Sequence, residues 1–186
     1  MSIVDAVFEV HTVLARATAA HAFGGALALA YYAEPRATVD IDVNVFGPDV
    51  DARLMEELAS VGYAPEAGAD HDAPIAGRRL RRASDPFPLD LFLPLGPGYE
   101  EIRTRIRQWP FGPHRVALPF LSAEDLAVFK LSFGRDKDWV DLRQIRRSGL
   151  ALDLDYIERQ AVELRGPTMY PRLARLRSLF ENPGRS

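Results

Sequence analysis

The sequence predicts an α/β (α+β) fold with a mixed sheet: a core of strands and helices in residues 1–120, then a helical C-terminal part in residues 121–186. Apolar segments of strand length alternate with helical patterns as far as Leu118. From Ser122 onward, helical patterns follow one another without a strand pattern among them. The chain has 186 residues, 47% of them hydrophobic, which is enough for one domain with a sizeable core.

The elements of the first part follow from local signals. Ser2 is typical of a helix cap, and the apolar residues after it recur at helical spacing to near Thr18. A short apolar strand at 19–23 runs into Gly24-Gly25, and the good helix formers of 26–32 follow. The remaining elements are, in order, a strand at 39–46 ended by Gly47-Pro48, a helix capped by Asp49 or Asp51 that passes through Leu54, Met55 and Leu58 to Gly62, an irregular segment at 63–76, strands at 77–83 and 88–94, an exposed helix at 99–109 and a short strand at 115–118.

The second part begins at Ser122, which has the form of a helix cap with acidic residues in the turn after it. Three or four helices follow, separated by Gly149, Gly166-Pro167 and Pro171. We expect these helices to form a cap that completes the active site of the core.

Composition excludes several classes of protein. There is no cysteine, so disulfides, thiolate metal sites and cysteine nucleophiles are excluded. No apolar run has the length of a membrane span, and the first residues lack the pattern of a signal peptide, so we expect a cytoplasmic protein with no membrane partner. Only two of the 23 basic residues are lysines, Lys130 and Lys137, and each therefore invites a specific explanation.

Two acids interrupt the apolar strand at 39–46. Because side chains alternate along a strand, Asp40, Asp42 and Asn44 share one face, with the carboxylates roughly 7 Å apart. A hard cation such as Mg²⁺ takes one or two carboxylates together with substrate phosphates. A half-exposed strand with one polar face explains the same pattern.

The Gly24-Gly25 step favours the first interpretation. Glycines between a strand and a helix let the backbone approach a ligand, and the N–H groups at a helix start favour phosphate. A phosphate-binding turn followed by a carboxylate pair is what a nucleoside triphosphate and its metal require. A tight turn alone would also account for the glycines.

Two further residues stand in apolar surroundings. Asp90 interrupts the strand at 88–94, where it suits a general base; the alternative is an edge strand whose polar residue faces solvent. Lys130 lies within a helix of apolar residues, where its ammonium is suited to bind a triphosphate. The alternative is a lysine whose stem packs while its ammonium reaches water.

Asp138 and Asp141 share a helix face. We expect them to hold Lys130, Arg135 or the nucleotide. The alternative is an ordinary pairing along the helix, such as that of Lys137 with Asp141.

Four motifs taken together resemble the nucleotidyltransferases of the DNA polymerase beta type, and within them the AbiEii and MenT group. The motifs are G-G-A-L-A-L from Gly24, R-x-T-x-D-I-D-V from Arg36, L-D-L-F from Leu89, and E-D-L-x-x-x-K-L-x-x-x-R-x-K-D-x-x-D from Glu124. The resemblance implies a polymerase-beta-like core and Mg²⁺-dependent transfer of a nucleotide from a nucleoside triphosphate. Toxin members of that group modify the acceptor end of tRNA, which blocks translation, and are opposed by a cognate antitoxin.

The resemblance also assigns roles. Asp40 and Asp42 would be the metal carboxylates, and Gly24 and Gly25 the phosphate loop. The nucleotide-binding set implied by the motifs is completed by Arg36, Thr38, Lys130, Asp138 and Asp141, with Thr38 also the residue that an antitoxin kinase would phosphorylate. The chain departs from the wider superfamily at Gly25, where a serine is usual, so a hydroxyl contact is lost.

Two other functions are compatible with the same residues. One is a small-molecule nucleotidyltransferase of the antibiotic-modifying kind, with the same core and a different acceptor pocket. The other is a binding partner that retains the fold without turnover.

Overall fold

A mixed sheet of seven strands, in the order β3-β4-β5-β2-β1-β7-β6, forms the centre of the protein in a computed structural model. The structure describes residues 1–47, 52–66, 77–94, 96 and 98–181. The strands are β1 Ala20–Phe23, β2 Ile41–Phe46, β3 Ala64–Pro65, β4 Gly77–Arg81, β5 Leu89–Phe92, β6 Arg107–Phe111 and β7 Val116–Phe120. The helices are α1 Ile3–Arg16, α2 Gly25–Leu29, α3 Ala52–Ser60, α4 Gly98–Thr104, α5 Ala123–Phe133, α6 Asp136–Arg147, α7 Leu154–Arg165 and α8 Tyr170–Glu181, with a 3-10 turn at Pro167–Met169. The predicted α/β fold class is confirmed.

The pairing of the central strands decides which side chains face each other. Strand β2 pairs in parallel with β5, and this register sets Asp42 opposite Asp90 and Asn44 opposite Phe92. Strand β1 pairs with β2 in the antiparallel sense, so Ala22 lies opposite Asn44. Because side chains directly opposite each other share a face, one face of the sheet carries both acids.

The other face of the sheet packs against α1. His21 lies opposite Val45 in the β1–β2 register, and its ring hydrogen-bonds to His11 of α1. The buried side of α1 is made of small apolar residues at helical spacing, as predicted, and Ser2 caps the helix by accepting a hydrogen bond from the backbone N–H of Asp5. The helix therefore begins and packs as its local sequence dictates.

We expect the His11–His21 pair to make the protein less stable as the pH falls. His21 Nδ1 donates to the Ala19 carbonyl at 2.8 Å, which leaves Nε2 to accept from His11 Nδ1 at 2.9 Å. Burial, together with the charge on His11, lowers the pKa of His21 to about 4. Between about pH 6.5 and pH 4 the unfolded chain binds a proton that the folded chain does not. The free energy of unfolding therefore decreases as the pH is lowered through this window.

Urea unfolding of the wild type and His21→Phe at several pH values measures this effect. When the pH is lowered from 6.5 to 4, the free energy of unfolding of the wild type should decrease by about 2 kcal/mol more than that of the variant. The difference in pH dependence is the readout, since the substitution also changes the absolute stability. Parallel pH profiles would show that His21 is not the group responsible.

The structure corrects the helix predicted at 99–109. Helix α4 ends at Thr104, and the segment Arg107–Phe111 is strand β6, paired with β7. The charged residues of 99–109 are spaced as in an exposed helix, but the strand that pairs with 107–111 lies beyond the turn at Gly112, and the local pattern does not reveal it. Tyr31 also holds the strand in place, because its hydroxyl donates to the Pro110 carbonyl at 2.8 Å.

Several other boundaries differ by a few residues. Helix α2 ends at Leu29 rather than at residue 32, and β7 runs to Phe120 rather than to Leu118. Strand β2 begins at Ile41, so Asp40 precedes it, and Val39 is 69% exposed. Part of the predicted irregular segment at 63–76 is the short strand β3, while residues 67–76 and the predicted caps Asp49 and Asp51 lie outside the described residues.

The helices after residue 121 surround α5. Ser122 caps this helix by accepting from the N–H of Asp125, as predicted, and the helix is buried along most of its length. Leu126 and Phe129 of α5 belong to the hydrophobic core of the sheet, whereas Ala127 and Leu131 pack with α6, α7 and α8. The division into units at residue 120 stays a prediction. None of the described helices is both long and apolar enough to cross a lipid bilayer.

Candidate active site

A cavity of about 280 Å³ opens where the acidic face of the sheet meets α5 and the start of α6. It brings together residues that are far apart in the sequence. Of the predicted site residues, those that line it are Gly25, Arg36, Asp40, Asp42, Asp90, Lys130 and Asp138. Gly24, Thr38 and Asp141 do not line the cavity but contact residues that do.

Three carboxylates approach one another in this cavity. Asp42 on β2 and Asp90 on β5 are opposite each other in the sheet, and Asp40 lies just before β2. Burial, and next the charges of Asp40 and Asp90, raise the pKa of Asp42 to about 7. Burial also raises the pKa of Asp90. The acids therefore oppose one another's ionisation, which a cation between them would relieve.

The Gly24-Gly25 turn closes over Asp42. The backbone N–H of Gly24 donates to the Asp42 carbonyl at 2.9 Å. Gly25 has a φ of +52°, and a Cβ atom at this position would lie 1.8 Å from Asp42 Oδ2. Only glycine allows both this backbone conformation and this approach. The first N–H groups of α2 lack partners within the helix, and Gly25, its first residue, lies against the Asp42 carboxylate.

Asp40 is held by its neighbour in the chain. The Thr38 hydroxyl lies 2.6 Å from Asp40 Oδ1 and 3.1 Å from the Asp40 carbonyl, and its single proton serves one acceptor at a time. The contact limits the rotation of the Asp40 side chain. A phosphate on Thr38 would add negative charge directly beside Asp40.

A buried carboxylate fixes the cations on one side of the cavity. Asp141 accepts from Lys130 Nζ at 2.6 Å and from both Nε and Nη2 of Arg36, at 2.9 and 3.0 Å. Burial would raise the pKa of Asp141, but these hydrogen bonds lower it. The Lys130 side chain is 5% exposed, so the interpretation of a lysine reaching into water is wrong. The alternative pairing of Asp141 with Lys137 is also wrong.

Asp138 has a different partner from Asp141. Its carboxylate accepts from the backbone N–H and the guanidinium of Arg135, at 3.0 and 2.8 Å, and so closes the first turn of α6. Lys137, between Arg135 and Asp138, lines the cavity and makes no ion pair among the residues the structure describes. Its charge acts to lower the pKa of Asp42 and of Asp90.

Asp90 is not on an edge strand, so the alternative in which it faces solvent from a sheet edge is wrong. Strand β5 lies between β4 and β2. Arg79 donates to Asp90 at 3.2 Å and also pairs with Glu66. Arg82, just after β4, is buried and pairs with Glu9 and Asp85, and it does not line the cavity.

Other lining residues were not predicted as part of a site. Asn44 is 2% exposed, lines the cavity, and has a side-chain oxygen without a hydrogen-bond partner. The alternating pattern had placed it on the face of the acids and was the available signal. Phe92, Phe129 and Phe133 form an aromatic wall of the cavity. Their positions are those of ordinary core residues, and the sequence does not distinguish them from such.

The donor set fits a hard divalent cation. Among the described residues, no group of three or more His, Cys, Asp or Glu side chains has the arrangement of a complete metal site. One or two carboxylates from Asp40 and Asp42, with the remaining ligands from a bound phosphate and water, is the arrangement that Mg²⁺ usually takes.

Comparison with known proteins shows the fold. No protein-family model and no curated protein sequence match the chain. The solution structure of the antibiotic-resistance factor ANT(2'')-Ia aligns over 92% of this chain and 95% of its own, with a TM-score of 0.57 and 14% identity. The crystal structure of ANT(2'')-Ia in complex with adenylyl-2''-tobramycin aligns over 98% of this chain and 99% of the ANT(2'')-Ia chain, with a TM-score of 0.55 and 13% identity. The crystal structure of JHP933 from Helicobacter pylori aligns over 96% of this chain and 95% of the JHP933 chain, with 12% identity. Its TM-score of 0.46 is too low to define a shared fold.

The similarity to ANT(2'')-Ia confirms the mixed α/β architecture that the resemblance to the polymerase-beta-type superfamily implies. This similarity does not test membership in the AbiEii and MenT group, which stays a prediction.

Proposed function

We propose that the protein is a Mg²⁺-dependent nucleotidyltransferase that moves a nucleotide from a nucleoside triphosphate to a hydroxyl group of an acceptor. The observation that carries this proposal is the cavity floor, where Asp42 faces Asp90 and lies under the backbone of Gly25. Acids close enough to oppose each other's ionisation, beside a glycine turn and fixed cations, are suited to bind a triphosphate with its metal.

In this proposal Asp40 and Asp42 hold the cation, which neutralises charge on the triphosphate. Thr38 orients Asp40. Asp90 takes the proton of the attacking hydroxyl, and burial raises its pKa toward the range that suits a general base. The hydroxyl oxygen forms a bond to the α-phosphorus, and the bond from that phosphorus to pyrophosphate breaks.

Basic residues bind the leaving group. Lys130 donates one of its three N–H groups to Asp141, which leaves two for triphosphate oxygens. Arg36 lines the same cavity and is held by the same carboxylate. Asp141 thus positions both cations, and Asp138 positions Arg135. The Gly24-Gly25 backbone lies where the phosphates approach Asp42.

For the acceptor we propose the 3′ end of tRNA, in which case the protein is a toxin of a toxin-antitoxin system that acts in the cytoplasm and blocks translation. The resemblance of its motifs to the AbiEii and MenT group supports this acceptor and a cognate antitoxin. A small-molecule acceptor is the second candidate, because ANT(2'')-Ia was crystallised with adenylyl-2''-tobramycin.

Transfer assays decide between the acceptors. The protein is incubated with each labelled nucleoside triphosphate and Mg²⁺, together with total RNA or with a panel of aminoglycosides. We expect label on RNA of tRNA size, and none when Mg²⁺ is replaced by a chelator. Label on an aminoglycoside instead would support the second candidate. No transfer to either would favour a binding partner without turnover.

A further inference from the structure

A second cavity, of about 580 Å³, lies beside the first. It is formed by the turn after α2, which includes Tyr31, Tyr32 and Glu34, and by the end of α6, which includes Gln144 and Arg147. None of these residues has a role in the chemistry proposed above.

The two cavities are adjacent along the chain. Glu34 lines the second cavity, and Arg36, two residues later, lines the first. Two residues of extended chain span at most about 7 Å, so a ligand in one cavity comes close to the other. Residues 34–37, the segment that links the two cavities along the chain, are exposed.

One face of α6 also joins the cavities. Lys137 lines the first, Gln144 and Arg147 line the second, and Val140 between them is 44% exposed. Lys137 and Arg147 are ten residues apart, about 15 Å along the helix. Neither makes an ion pair with another described residue, and both are exposed. At the roughly 3.4 Å spacing of a stacked strand, this distance corresponds to about four nucleotides.

Two aromatic residues of the second cavity, Tyr31 and Tyr32, are fixed in place, and Trp109, which does not line the cavity, packs on Tyr31 from outside it. The rings of Tyr31 and Trp109 are stacked, with centroids 5.8 Å apart and planes at 13°, and Trp109 is 38% exposed. The hydroxyl of Tyr31 donates to Pro110 and that of Tyr32 to Leu121, each at 2.8 Å. Trp109 Nε1 donates to Tyr32 at 3.4 Å. Tyr31 also packs on Phe120, so the exposed ring of this cluster is that of Trp109. An exposed ring held rigidly is suited to stack on an unpaired base.

We propose that the second cavity and the exposed face of α6 bind the single-stranded 3′ end of an RNA acceptor. The terminal hydroxyl enters the first cavity, the phosphates behind it lie along Lys137 and Arg147, and a base stacks on the Tyr31–Trp109 pair. The Glu34 carboxylate accepts a hydrogen bond from a base amino group or a ribose hydroxyl. This inference rests on the proposed nucleotidyl transfer, and it deepens that proposal by naming the surface that receives the acceptor.

Binding of a 5′-labelled short single-stranded RNA, measured by fluorescence anisotropy, tests the surface without requiring turnover. We expect Arg147→Gln and Trp109→Leu each to raise the Kd about tenfold, the effect of about 1.4 kcal/mol from one phosphate or stacking contact. Arg147 is exposed, so its variant reports on binding even if Trp109→Leu does not fold. Thermal stabilisation by a nucleoside triphosphate with Mg²⁺ should be the same in both variants as in the wild type.

Arg16→Gln is the matched control. Arg16 is exposed and makes no ion pair among the described residues, and it lies on α1, on the opposite face of the sheet. Its variant should bind the RNA as tightly as the wild type. Equal affinities in Arg147→Gln and the wild type, or no RNA binding by the wild type, would overturn the inference. Transfer to an aminoglycoside without RNA binding would overturn it while leaving nucleotidyl transfer intact.

Discussion

We expect Asp42→Asn to reduce the proposed nucleotidyl transfer by a factor of about 10³ or more, and to make the metal-free protein more stable at pH 8. The first effect follows because the carboxylate proposed to hold the cation is replaced by a neutral amide, which loses several kcal/mol of charge stabilisation. The second effect follows because the folded chain keeps Asp42 in a site that opposes its ionisation.

The pH dependence of this gain has a definite sign. The pKa of Asp42 is about 7 in the folded chain and near 3.8 when unperturbed. Between these values the unfolded chain has released the proton that the folded chain still binds, so the stability that Asp42 contributes falls as the pH rises. The variant should match the wild type near pH 4 and exceed it by roughly 1 to 3 kcal/mol at pH 8.

Urea unfolding in a chelating buffer at both pH values measures the stability, and the transfer assay measures the activity. Asp136→Asn is a suitable control, because Asp136 is an exposed acid in the first turn of α6 that does not line the cavity. It should retain activity and show the wild-type pH dependence. An Asp42→Asn variant that is unfolded, or less stable than the wild type at pH 8, would show that the carboxylate has a structural role.

Gly25→Ala should reduce transfer by about 10²-fold, because the new methyl group displaces the carboxylate on which the site depends. The added Cβ would lie 1.8 Å from Asp42 Oδ2 and 2.6 Å from its Cγ, so Asp42 or the turn must move by more than 1 Å. Misplacement on this scale costs on the order of 10² in rate. Alanine at a φ of +52° adds a conformational cost of about 1 to 2 kcal/mol.

Gly149→Ala separates the conformational cost of alanine at a positive φ from the displacement of Asp42. Gly149 has a φ of +80°, and a Cβ there would meet no atom within 4 Å. Its variant therefore bears the conformational cost without the contact, and it should lose stability but keep its activity per folded molecule. Equal activity in Gly25→Ala and Gly149→Ala would mean that the turn does not control Asp42.

The predictable part of the site rests on short segments. The alternation of acidic and apolar residues in β2 placed Asp42 and Asn44 on one face, because a strand has a side-chain period of two wherever it occurs. The glycines before α2 and the cap at Ser122 were likewise recognisable, since their signals lie within a few residues. Asp90 was singled out as an acid within an apolar strand, and the structure sets it opposite Asp42.

What the sequence did not reveal depended on contacts that each segment makes with other parts of the fold. The charges of residues 99–109 are spaced as in a helix, and only the pairing of residues 107–111 with β7 shows that the second part of this segment is a strand. The orphaned side-chain oxygen of Asn44 was equally hidden, because burial decides whether a polar atom can reach water.

The sequence by itself determined the α/β class, the order of most elements, and the segments that carry the acids, the glycine turn and Lys130. Only the tertiary structure decided that Asp141 holds both Lys130 and Arg36, the latter 105 residues away in the chain. Period and capping act over a few residues and are legible locally. An ion pair between distant segments depends on which charges the packing removes from water, and that is fixed only when the helices meet the sheet.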